Sequence, residues 1–428
     1  MTHKNPKTDR AVAISVLSDV LETGAFANIA LRKTFDETTL DPRARAFVTD
    51  LVNETLRNVL HIDHLLNKLS KTPVDKMKPF IRNLLRVSVC QIYFMEKIPD
   101  RAAVNEAVVL AKAYGFHNLT GYVNGVLRNV AREKEKAQPP ATLALTYSYP
   151  NWLIKKLVAW LGEAEAEKFC ANSHMPPPVI VLANTHKTTG EELAKTFAAE
   201  EIDATPLEGK HPFFVLRKTG DMTRLDSFNK GMFYVVDPGI MHAVEAMNPK
   251  PGQTIMDLCA APGGKTFAMA CAMGNQGSIL AYDIHPHRVE LIRQTRKRLG
   301  LDIISAAVSD ALSPKAHLEG TADAVLLDVP CSGFGTIRKH PEIKYNRQPQ
   351  DIPQLVSTQR AILAAGAKYV KIGGRLVYCT CTIGHEENQD NIQDFLSQHP
   401  HYTLLEAKQI LPGATTDGFY IATLERNA

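Results

Sequence analysis

The chain has 428 residues, of which 45% are hydrophobic and 22% are charged, and its formal net charge is +4. At about 150 residues per domain, this length predicts two or three globular domains. Neither an apolar run of membrane-spanning length nor an apolar signal segment near Met1 occurs, so we expect a cytoplasmic protein without a membrane partner. We expect a monomer, although the sequence does not show the oligomeric state. The seven cysteines are odd in number and irregularly spaced, which favours reduced thiols over disulfides, and no zinc-type spacing predicts a metal site.

Residues 9–136 predict a helical bundle, because apolar residues recur there at helical spacing. Gly24 is expected to end the first helix, and Asp41 is expected to cap the second ahead of Pro42. A charged run ending in two prolines, at 131–141, predicts a linker. The helical stretches are 9–24, 41–70, 77–95, 102–115 and 118–136.

Basic residues are concentrated in this helical region. Residues 1–140 hold 21 Lys and Arg against 15 Asp and Glu, whereas the rest of the chain holds 28 against 30. A basic excess of this kind fits a nucleic-acid partner. On charge alone, a solvated helical surface explains the excess somewhat better.

The pattern changes twice after the linker. Residues 142–245 mix an amphipathic helix, NWLIKKLVAWLG, with two strand-like runs and a helix between them, which predicts a small α+β domain. From about residue 250, five short apolar strands alternate with helical stretches up to GRLVYCTC at 374–381. This alternation predicts an α/β fold whose mostly parallel sheet is covered on both faces, with ligands bound at the carboxyl ends of the strands.

The first of these strands leads into DLCAAPGGKT at 257–266. Two glycines before a helix let the backbone approach a ligand, and the free N–H groups of the helix start suit an anionic group. The loop is neither a triphosphate-binding loop nor a dinucleotide fingerprint, and a cofactor with a carboxylate fits it better. A Gly-Gly turn of this kind is, however, often only a turn. The candidate cofactor residues of the loop are Cys259, Ala260, Ala261, Pro262, Gly263, Gly264 and Lys265.

Aspartates end the next two strands. Asp283 follows the loop by some twenty residues, where an acidic side chain can bond ribose hydroxyls, and Asp310 ends the third strand. Either side chain is as often a helix cap as a ligand contact. Together with the loop, they favour an adenosine cofactor that carries an amino-acid carboxylate, namely S-adenosylmethionine.

The fourth and fifth strands end in thiols. Cys331 follows Asp328 in LLDVPCSGFG, and Cys381 lies in YCTCT before Glu386-Glu387-Asn388. A single cysteine in apolar surroundings is usually a small buried residue, but two at the ligand end of one sheet weaken that reading. Cys379 falls on the same strand face as Cys381, so alternation alone does not separate them; only its position inside the strand disfavours it.

These motifs closely resemble the RNA 5-methylcytosine methyltransferases, specifically the bacterial RsmB (Fmu or Sun) family that acts on 16S rRNA. The resemblance covers nearly the whole chain, from NGVLRN in the first region through DLCAAPGGKT, DVPCSGFGTIRKHPEIKY and YCTCT to TDGFYIATL. It implies an all-α NusB-like RNA-binding domain at 1–138, a small α+β domain at 142–245 and a Rossmann-like S-adenosylmethionine-dependent methyltransferase domain at 246–428.

The resemblance also implies roles for individual residues. Cys381 would be the nucleophile and Cys331 would assist product release, while Asp328 would contact the cytosine and the cofactor region. Cys259 to Lys265 would hold the methionine side of the cofactor, with Asp283 on the ribose and Asp310 near the adenine.

Addition of a thiolate to C6 makes C5 of cytosine nucleophilic enough to accept a methyl group, and a protonated Asp328 could donate to N3. A second thiol near C5 could act as a base, a relay or a release aid. Four residues after the Cys331 motif could hold RNA phosphates, although an exposed basic loop is nearly as good an explanation. They are Arg338, Lys339, His340 and Lys344.

Two other functions fit parts of the chain. A NusB-like RNA-binding or assembly factor could carry a methyltransferase domain without activity, but the complete set of strand-end residues argues against this. An N-methyltransferase commonly has an Asn/Asp-Pro-Pro-aromatic motif after the fourth strand. Here Cys331 stands where that motif needs its second proline or an aromatic residue.

Overall fold

The computed structural model describes residues 8–134, 141–217 and 219–427. The chain forms two compact units, of which the first comprises the described part of Met1–His174 together with Lys339–Arg347. The second comprises the described part of Met175–Arg338 and Gln348–Ala428. Most of the predicted linker at 131–141 lies outside the described residues.

The first unit is helical, as its sequence periodicity predicts. Each of the helices named below contributes residues to its apolar core, in which Val16, Leu51 and Leu85 are completely buried. The helices are α1 (Asp9–Thr23), α2 (Ala27–Asp36), α3 (Pro42–Arg57), α4 (Val59–Leu69), α5 (Pro79–Phe94), α6 (Asp100–Ala113) and α7 (Thr120–Glu133).

Local signals account for several of these helix ends. Gly24 ends α1 in the left-handed region with φ of 76°, and the Asp41 carboxylate accepts a hydrogen bond from the Ala44 N–H at the start of α3. The single helix predicted over 41–70 is wrong, because the chain breaks at Asn58 into α3 and α4. The Asn58 side-chain amide donates to the Glu54 carbonyl and so competes with the helical hydrogen-bond ladder.

Three further helices belong to the same unit: α8 (Leu143–Thr146), α9 (Asn151–Leu161) and α10 (Glu163–His174). They precede the small sheet and group with the first unit, whereas the sequence places residues 142–174 in the second predicted domain. The segment 339–347, which contains the helical turn at Ile343–Asn346, also belongs here. Its Lys344 Nζ donates to the carbonyl oxygens of Arg57 and Tyr147.

The second unit begins with a small antiparallel sheet in the strand order β2-β3-β1-β4. Helix α11 (Gly190–Ala199) starts with a capping box between Thr189 and Glu192, and it packs Leu193 and Phe197 on the sheet. The strands are β1 (Val179–Ala183), β2 (Asp203–Pro206), β3 (Phe213–Arg217) and β4 (Phe233–Val235), and Asp226–Asn229 forms the short helix α12.

The rest of this unit is a seven-stranded mixed sheet in the order β10-β11-β9-β8-β5-β6-β7. The five strands predicted from the sequence are its parallel strands, and β10 and β11 add antiparallel to β9. The strands are β5 (Thr254–Asp257), β6 (Ser278–Asp283), β7 (Ile304–Val308), β8 (Ala322–Asp328), β9 (Val370–Thr380), β10 (Tyr402–Ile410) and β11 (Phe419–Arg426).

Helices cover both faces of this sheet, which explains why its strands are continuously apolar. One face packs on α13 (Ile240–Met247), α14 (Gly264–Ala272) and α15 (Pro286–Leu299), and the other packs on α17 (Asp351–Ala367) and α18 (Gln389–Gln398). The short helix at Ile343–Asn346 is α16. Among the described helices, none is long and apolar enough to cross a membrane.

Candidate active site

The carboxyl ends of β5, β6, β8 and β9 meet at one edge of the sheet and border a cavity of about 350 Å³. This volume lies within the usual range of about 300–1,000 Å³ for small-molecule sites. Both candidate thiols and most of the candidate acids contribute to its wall. Predicted site residues in the wall are Cys259, Ala261, Asp283, Asp310, Asp328, Cys331 and Cys381. Ala260, Pro262, Gly263, Gly264 and Lys265 are not among the residues that line it.

The loop between β5 and α14 makes a tight turn beside this cavity, and the Ala261–Pro262 peptide bond in it is cis. Gly263 has a φ of 107°, and an added Cβ would lie 2.4 Å from the Phe267 ring. A Cβ on Gly264 would lie 2.9 Å from Val236. Both glycines are therefore required by the turn, which brings the start of α14 to the carboxyl edge of the sheet.

Asp257, at the end of β5, is a buried acid that the sequence analysis did not single out. Its Oδ2 accepts a hydrogen bond of 2.7 Å from the Thr266 hydroxyl, whereas Oδ1 is buried and has no hydrogen-bond partner among the described residues. Burial raises its pKa to about 7, with the Asp328 charge adding to the effect and the Thr266 hydrogen bond opposing it. The carboxyl group therefore titrates near neutral pH.

The side chains of Asp283 and Asp310 both stabilise local turns, and the N-cap of α15 is His285, not Asp283. Each Oδ1 accepts a local backbone hydrogen bond, from His285 N–H for Asp283 and from Leu312 N–H for Asp310. Both residues also line the cavity, so a turn-stabilising contact and a ligand contact are compatible. Between them, the exposed Ile284 side chain adds an apolar surface to the wall.

Lys265 and Asp328 form an ion pair in which Nζ donates to Oδ2 at 2.6 Å. Burial lowers the pKa of Lys265, but the groups around it, with the Asp328 carboxylate first among them, together raise that pKa more, so the lysine stays a cation. The Cys379 and Cys381 sulfurs lie within the electrostatic reach of the same ammonium. An ion pair favours the charged carboxylate, so donation from Asp328 to a base requires exchange of the Lys265 contact first.

The two thiols lie together, with 3.2 Å between the Sγ atoms of Cys331 and Cys381, as thiols and not as a disulfide. Cys381 directly follows the end of β9 and is partly exposed, whereas Cys331 is 8% exposed. The hydrogen bond to Cys381 and then burial raise the pKa of Cys331 well above its usual value. Either sulfur can donate in this contact, and burial favours the protonated form at Cys331.

Cys379 is within β9, as its position in the sequence indicates, and it is completely buried. Its Sγ lies 3.5 Å from Asp328 Oδ1, and burial raises the pKa of the thiol. Unlike Cys331 and Cys381, it does not line the cavity. Alternation along the strand could not separate the two thiols of β9, but their burial does.

Ser332, Thr382, Glu387 and Asn388 lie directly behind the thiols, and the sequence analysis gave them no role. The side chains of Glu387 and Asn388 are completely buried and hydrogen-bond to residues next to each thiol. The available signal was the pair of acids and the asparagine soon after the Thr-Cys-Thr motif. The Ser332 partner of Glu387 is 55 residues away in sequence, so the pattern alone could not assign that contact.

The residues predicted to hold RNA phosphates have different environments. Lys344 is 1% exposed, and its Nζ donates to two backbone carbonyls of the first unit. Arg338 is 7% exposed, and its guanidinium donates to the carbonyl oxygens of Pro176, Gly413 and Ala414. These placements correct the phosphate-binding prediction for both residues. Lys339 and His340 are half-buried, and their phosphate contact stays a prediction.

Within the part of the chain that the structure describes, no group of three or more His, Cys, Asp or Glu side chains could hold a metal ion.

Comparison with protein-family models gives three matches in chain order. Residues 7–132 match the NusB family, and residues 149–223 match a ferredoxin-like domain described as Methyltr_RsmF/B-like. Residues 244–425 match a family described as 16S rRNA methyltransferase RsmB/F. The helical region, the small sheet and the mixed sheet thus correspond to three recognised domain types, and the predicted fold class is confirmed.

The matches to whole proteins span nearly the full length of both chains. The probable ribosomal RNA small subunit methyltransferase B of Bacillus subtilis is 36% identical over 97% of this chain and 98% of its own length. The ribosomal RNA small subunit methyltransferase B of Vibrio cholerae is 33% identical over 97% of each chain. The crystal structure of PH0851 has a TM-score of 0.83 and 26% identity, covering 98% of this chain and 99% of that one.

Proposed function

Because the chain belongs to the RsmB/F family of 16S rRNA methyltransferases, we propose that it methylates C5 of a cytosine in 16S rRNA with S-adenosylmethionine as the methyl donor. The observation that carries this proposal is the pair of thiols at 3.2 Å in the wall of a cavity that also presents Asp283, Asp310 and Asp328. A nucleophilic thiol is what cytosine C5 requires and amine methylation does not.

The residues around the cavity fit the proposed cofactor. Asp283 presents a carboxylate for ribose hydroxyls, Ile284 offers an apolar surface for the adenine, and Asp310 lies on the same wall. The loop from Cys259 to Gly264 and the start of α14 suit the amino-acid carboxylate. When bound, S-adenosylmethionine supplies an activated methyl group.

Cys381 is the proposed nucleophile. Its thiolate sulfur bonds to C6 of the cytosine, and the electrons of the C5–C6 double bond move into the ring, which makes C5 nucleophilic. The neighbouring Lys265 ammonium favours negative charge on this sulfur. After C5 has gained the methyl group, a base such as a water molecule takes the C5 proton. The electrons of that C–H bond restore the C5–C6 double bond, and the sulfur leaves C6 with the electron pair of the sulfur–C6 bond.

Cys331 is the proposed release aid. Its raised pKa keeps it a thiol at neutral pH, so it can donate to the Cys381 sulfur as negative charge returns to that atom. A thiol that holds its proton is a poor base, which favours the donor role over abstraction of the C5 proton. Removal of Cys331 should therefore slow the breaking of the covalent adduct more than its formation.

Asp328 is proposed to contact the target base. It lines the cavity, is 30% exposed at its side chain and keeps its charge balanced by Lys265. As a carboxylate it can accept a hydrogen bond from the exocyclic amine of cytosine; donation to N3 needs the Lys265 contact to be exchanged when the base enters. The base must leave its stack to reach this site.

The helical first region is proposed to bind the RNA. Its match to the NusB family and the basic surplus in residues 1–140 both support this role. Charge of this kind supplies affinity through the phosphate backbone and carries little sequence information, so the choice of cytosine would depend on other contacts.

The proposal is tested by incubating the protein with 16S rRNA and S-adenosylmethionine labelled in the methyl group, followed by complete digestion of the RNA to nucleosides. The expected product is labelled 5-methylcytidine, and Cys381→Ala should yield none. Label in another nucleoside, or cofactor binding without any transfer to RNA, would contradict the proposed reaction. The second of these results would favour an RNA-binding factor without activity.

A further inference from the structure

A buried polar network lies behind the two thiols, and the reaction proposed above makes no use of it. Its centre is Glu387 and Asn388, whose side chains are completely buried in the turn between β9 and α18. Burying a carboxyl group is unfavourable unless hydrogen bonds replace its hydration. The position of the Glu387 carboxyl group therefore depends on the groups that donate hydrogen bonds to it.

Glu387 holds the residue that follows Cys331. Its Oε1 accepts hydrogen bonds from the Ser332 backbone N–H at 2.8 Å and from the Gln359 side-chain amide at 2.9 Å. Its Oε2 accepts from the Ser332 hydroxyl at 2.5 Å. One carboxyl group thus fixes both the backbone and the side chain of Ser332.

Asn388 holds the residues on either side of Cys381. Its Oδ1 accepts a hydrogen bond from the Thr380 hydroxyl at 2.7 Å, and its Nδ2 donates to the Thr382 carbonyl at 3.2 Å. The hydroxyl oxygens of Ser332 and Thr382 are 2.7 Å apart and join the two halves of the network. The backbone next to each thiol is therefore tied to the same two adjacent residues.

A second set of contacts restrains Glu387 itself. The Tyr378 hydroxyl donates to the Glu387 carbonyl at 2.6 Å, and the Asn391 amide donates to that carbonyl and to Gln359 Oε1. Gln359 also donates to the Pro330 carbonyl, directly before Cys331. Networks of buried, mutually hydrogen-bonded groups hold one geometry more firmly than packing alone.

We propose that Glu387 and Asn388 are positioning residues that hold Cys331 and Cys381 at the separation needed for product release. The inference rests on the two-thiol reaction proposed above, and it assigns these residues no contact with substrate or cofactor. The charge of Glu387 has a second effect, since it helps to keep the Cys331 thiol protonated.

The first test measures the thiol geometry without turnover. A diazene oxidant such as diamide takes one hydrogen from each of two adjacent thiols, forming a disulfide while the diazene becomes a hydrazine. Peptide mass spectrometry would follow the Cys331–Cys381 disulfide in the wild type, Glu387→Ala, Glu387→Gln and Asp390→Ala. Asp390 is an exposed acid in the first turn of α18, three residues after Glu387, and serves as the matched control.

We expect Glu387→Ala to form the disulfide about tenfold more slowly than the wild type, because thiol exchange depends on access and alignment of the sulfurs. Glu387→Gln should stay close to the wild type, since its carbonyl can accept from Ser332 and Gln359 while its amide donates to the Ser332 hydroxyl. Asp390→Ala should match the wild type. Equal rates in Glu387→Ala and the wild type would overturn the inference.

The second test measures release. With labelled S-adenosylmethionine and 16S rRNA, Glu387→Ala should lower kcat with little change in KM and should accumulate protein–RNA adduct on a denaturing gel. Glu387→Gln should keep the geometry but shift the pH profile of kcat to lower pH, since the negative charge near Cys331 is lost. Unchanged kcat and no adduct in Glu387→Ala would also overturn the inference.

Wild type and Cys331→Ala are run beside these variants, so the two proposals fail in different ways. If the wild type transfers no label to RNA, the proposed reaction fails, whereas the disulfide rates still report on the positioning. If Glu387→Ala does not fold, the rate of disulfide formation in Ser332→Ala tests the network instead. This variant removes the hydroxyl contacts of Ser332 and leaves the Glu387 carboxylate in place. It should slow disulfide formation, and a wild-type rate would count against the network.

Discussion

At the scale of single residues, Cys331 and Cys381 are chemically different although their sulfurs are only 3.2 Å apart. Cys381 is partly exposed at a strand end, whereas Cys331 is buried and has a pKa raised well above its usual value. The thiolate is the reactive form of cysteine, so burial and a raised pKa both disfavour Cys331 as the attacking sulfur, and the exposed position of Cys381 favours that residue.

This difference predicts an order of alkylation. At pH 8, iodoacetamide should modify Cys381 about ten times faster than Cys331, because the rate follows exposure and the thiolate fraction. Peptide mass spectrometry over a time course would measure both rates, and Cys331→Ala is the control in which Cys381 should still be modified. Faster modification of Cys331 in the wild type would reverse the assignment of the two thiols.

Asp257 makes stability depend on pH. Its pKa of about 7 in the folded protein is higher than the value of about 4 expected in the unfolded chain. Between these values the folded state holds a proton that the unfolded state has lost. The free energy of unfolding should therefore fall as the pH rises from about 4 to about 7, by up to about 4 kcal/mol from this group.

Substitution of Asp257 tests this directly. Asp257→Asn carries no titrating group, so it should gain stability relative to the wild type as the pH rises from 5 to 8. Urea unfolding midpoints at several pH values would measure the difference, with the exposed Asp302→Asn as control. A constant difference between Asp257→Asn and the wild type would show that Asp257 does not titrate in this range.

At the scale of elements, the loop after Cys331 is held by close backbone contacts. The Gly335 N–H donates to the Cys381 carbonyl, and the Gly335 carbonyl accepts from the Gly418 N–H. A Cβ on Gly335 would lie 2.2 Å from the Gly418 oxygen and 2.8 Å from the Cys381 oxygen. Only glycine lets these three backbone segments come so close together.

Gly335→Ala should therefore displace the loop and reduce methyl transfer strongly, with a loss of about 1–3 kcal/mol of stability from overpacking. Gly413→Ala is the matched control, because its added Cβ meets only Thr416 at an ordinary 3.6 Å. Kinetics and thermal unfolding of both variants would measure the effect. Wild-type activity in Gly335→Ala would mean that the loop does not set the thiol geometry.

Sequence patterns predicted the features of helices and strands that depend on residues close together in the chain. The apolar strands end at Asp283, at Asp328 and directly before Cys381, as expected, because both alternation and strand ends are visible along the chain. The break at Asn58 was missed, since it depends on a side chain competing with its own helix. The role of Glu387 was missed because its partner Ser332 is 55 residues away.

At the scale of the whole molecule, long-range contacts also decide what a basic residue does. The position of Lys344 after a basic stretch predicts a phosphate contact. Its ammonium instead donates to the Arg57 carbonyl, which lies 287 residues away in sequence and in the first unit. Burial lowers the pKa of Lys344 well below its usual value. The segment 339–347 thus belongs to the helical unit, although the chain on either side belongs to the other.

Lys344→Ala should consequently lower stability and not RNA affinity. Loss of the side chain leaves two carbonyls without this donor and creates a cavity, which costs about 2–5 kcal/mol. Thermal unfolding would measure this loss. RNA affinity measured at several salt concentrations should keep the wild-type slope of log affinity against log salt concentration. Lys339→Ala is the contrasting variant, because a lost phosphate contact reduces the size of that slope by about 1. A reduced slope in Lys344→Ala would restore the prediction that Lys344 contacts a phosphate.

The proposed reaction gives Cys331 and Cys381 different roles, and trapping of the covalent adduct can tell those roles apart. Wild type, Cys331→Ala and Cys381→Ala are incubated with 16S rRNA and labelled S-adenosylmethionine, and a denaturing gel is read for label that migrates with protein. We expect Cys331→Ala to trap RNA and Cys381→Ala to give neither adduct nor product. Trapping in Cys381→Ala, with Cys331→Ala inert, would contradict the two assigned roles and make Cys331 the nucleophile.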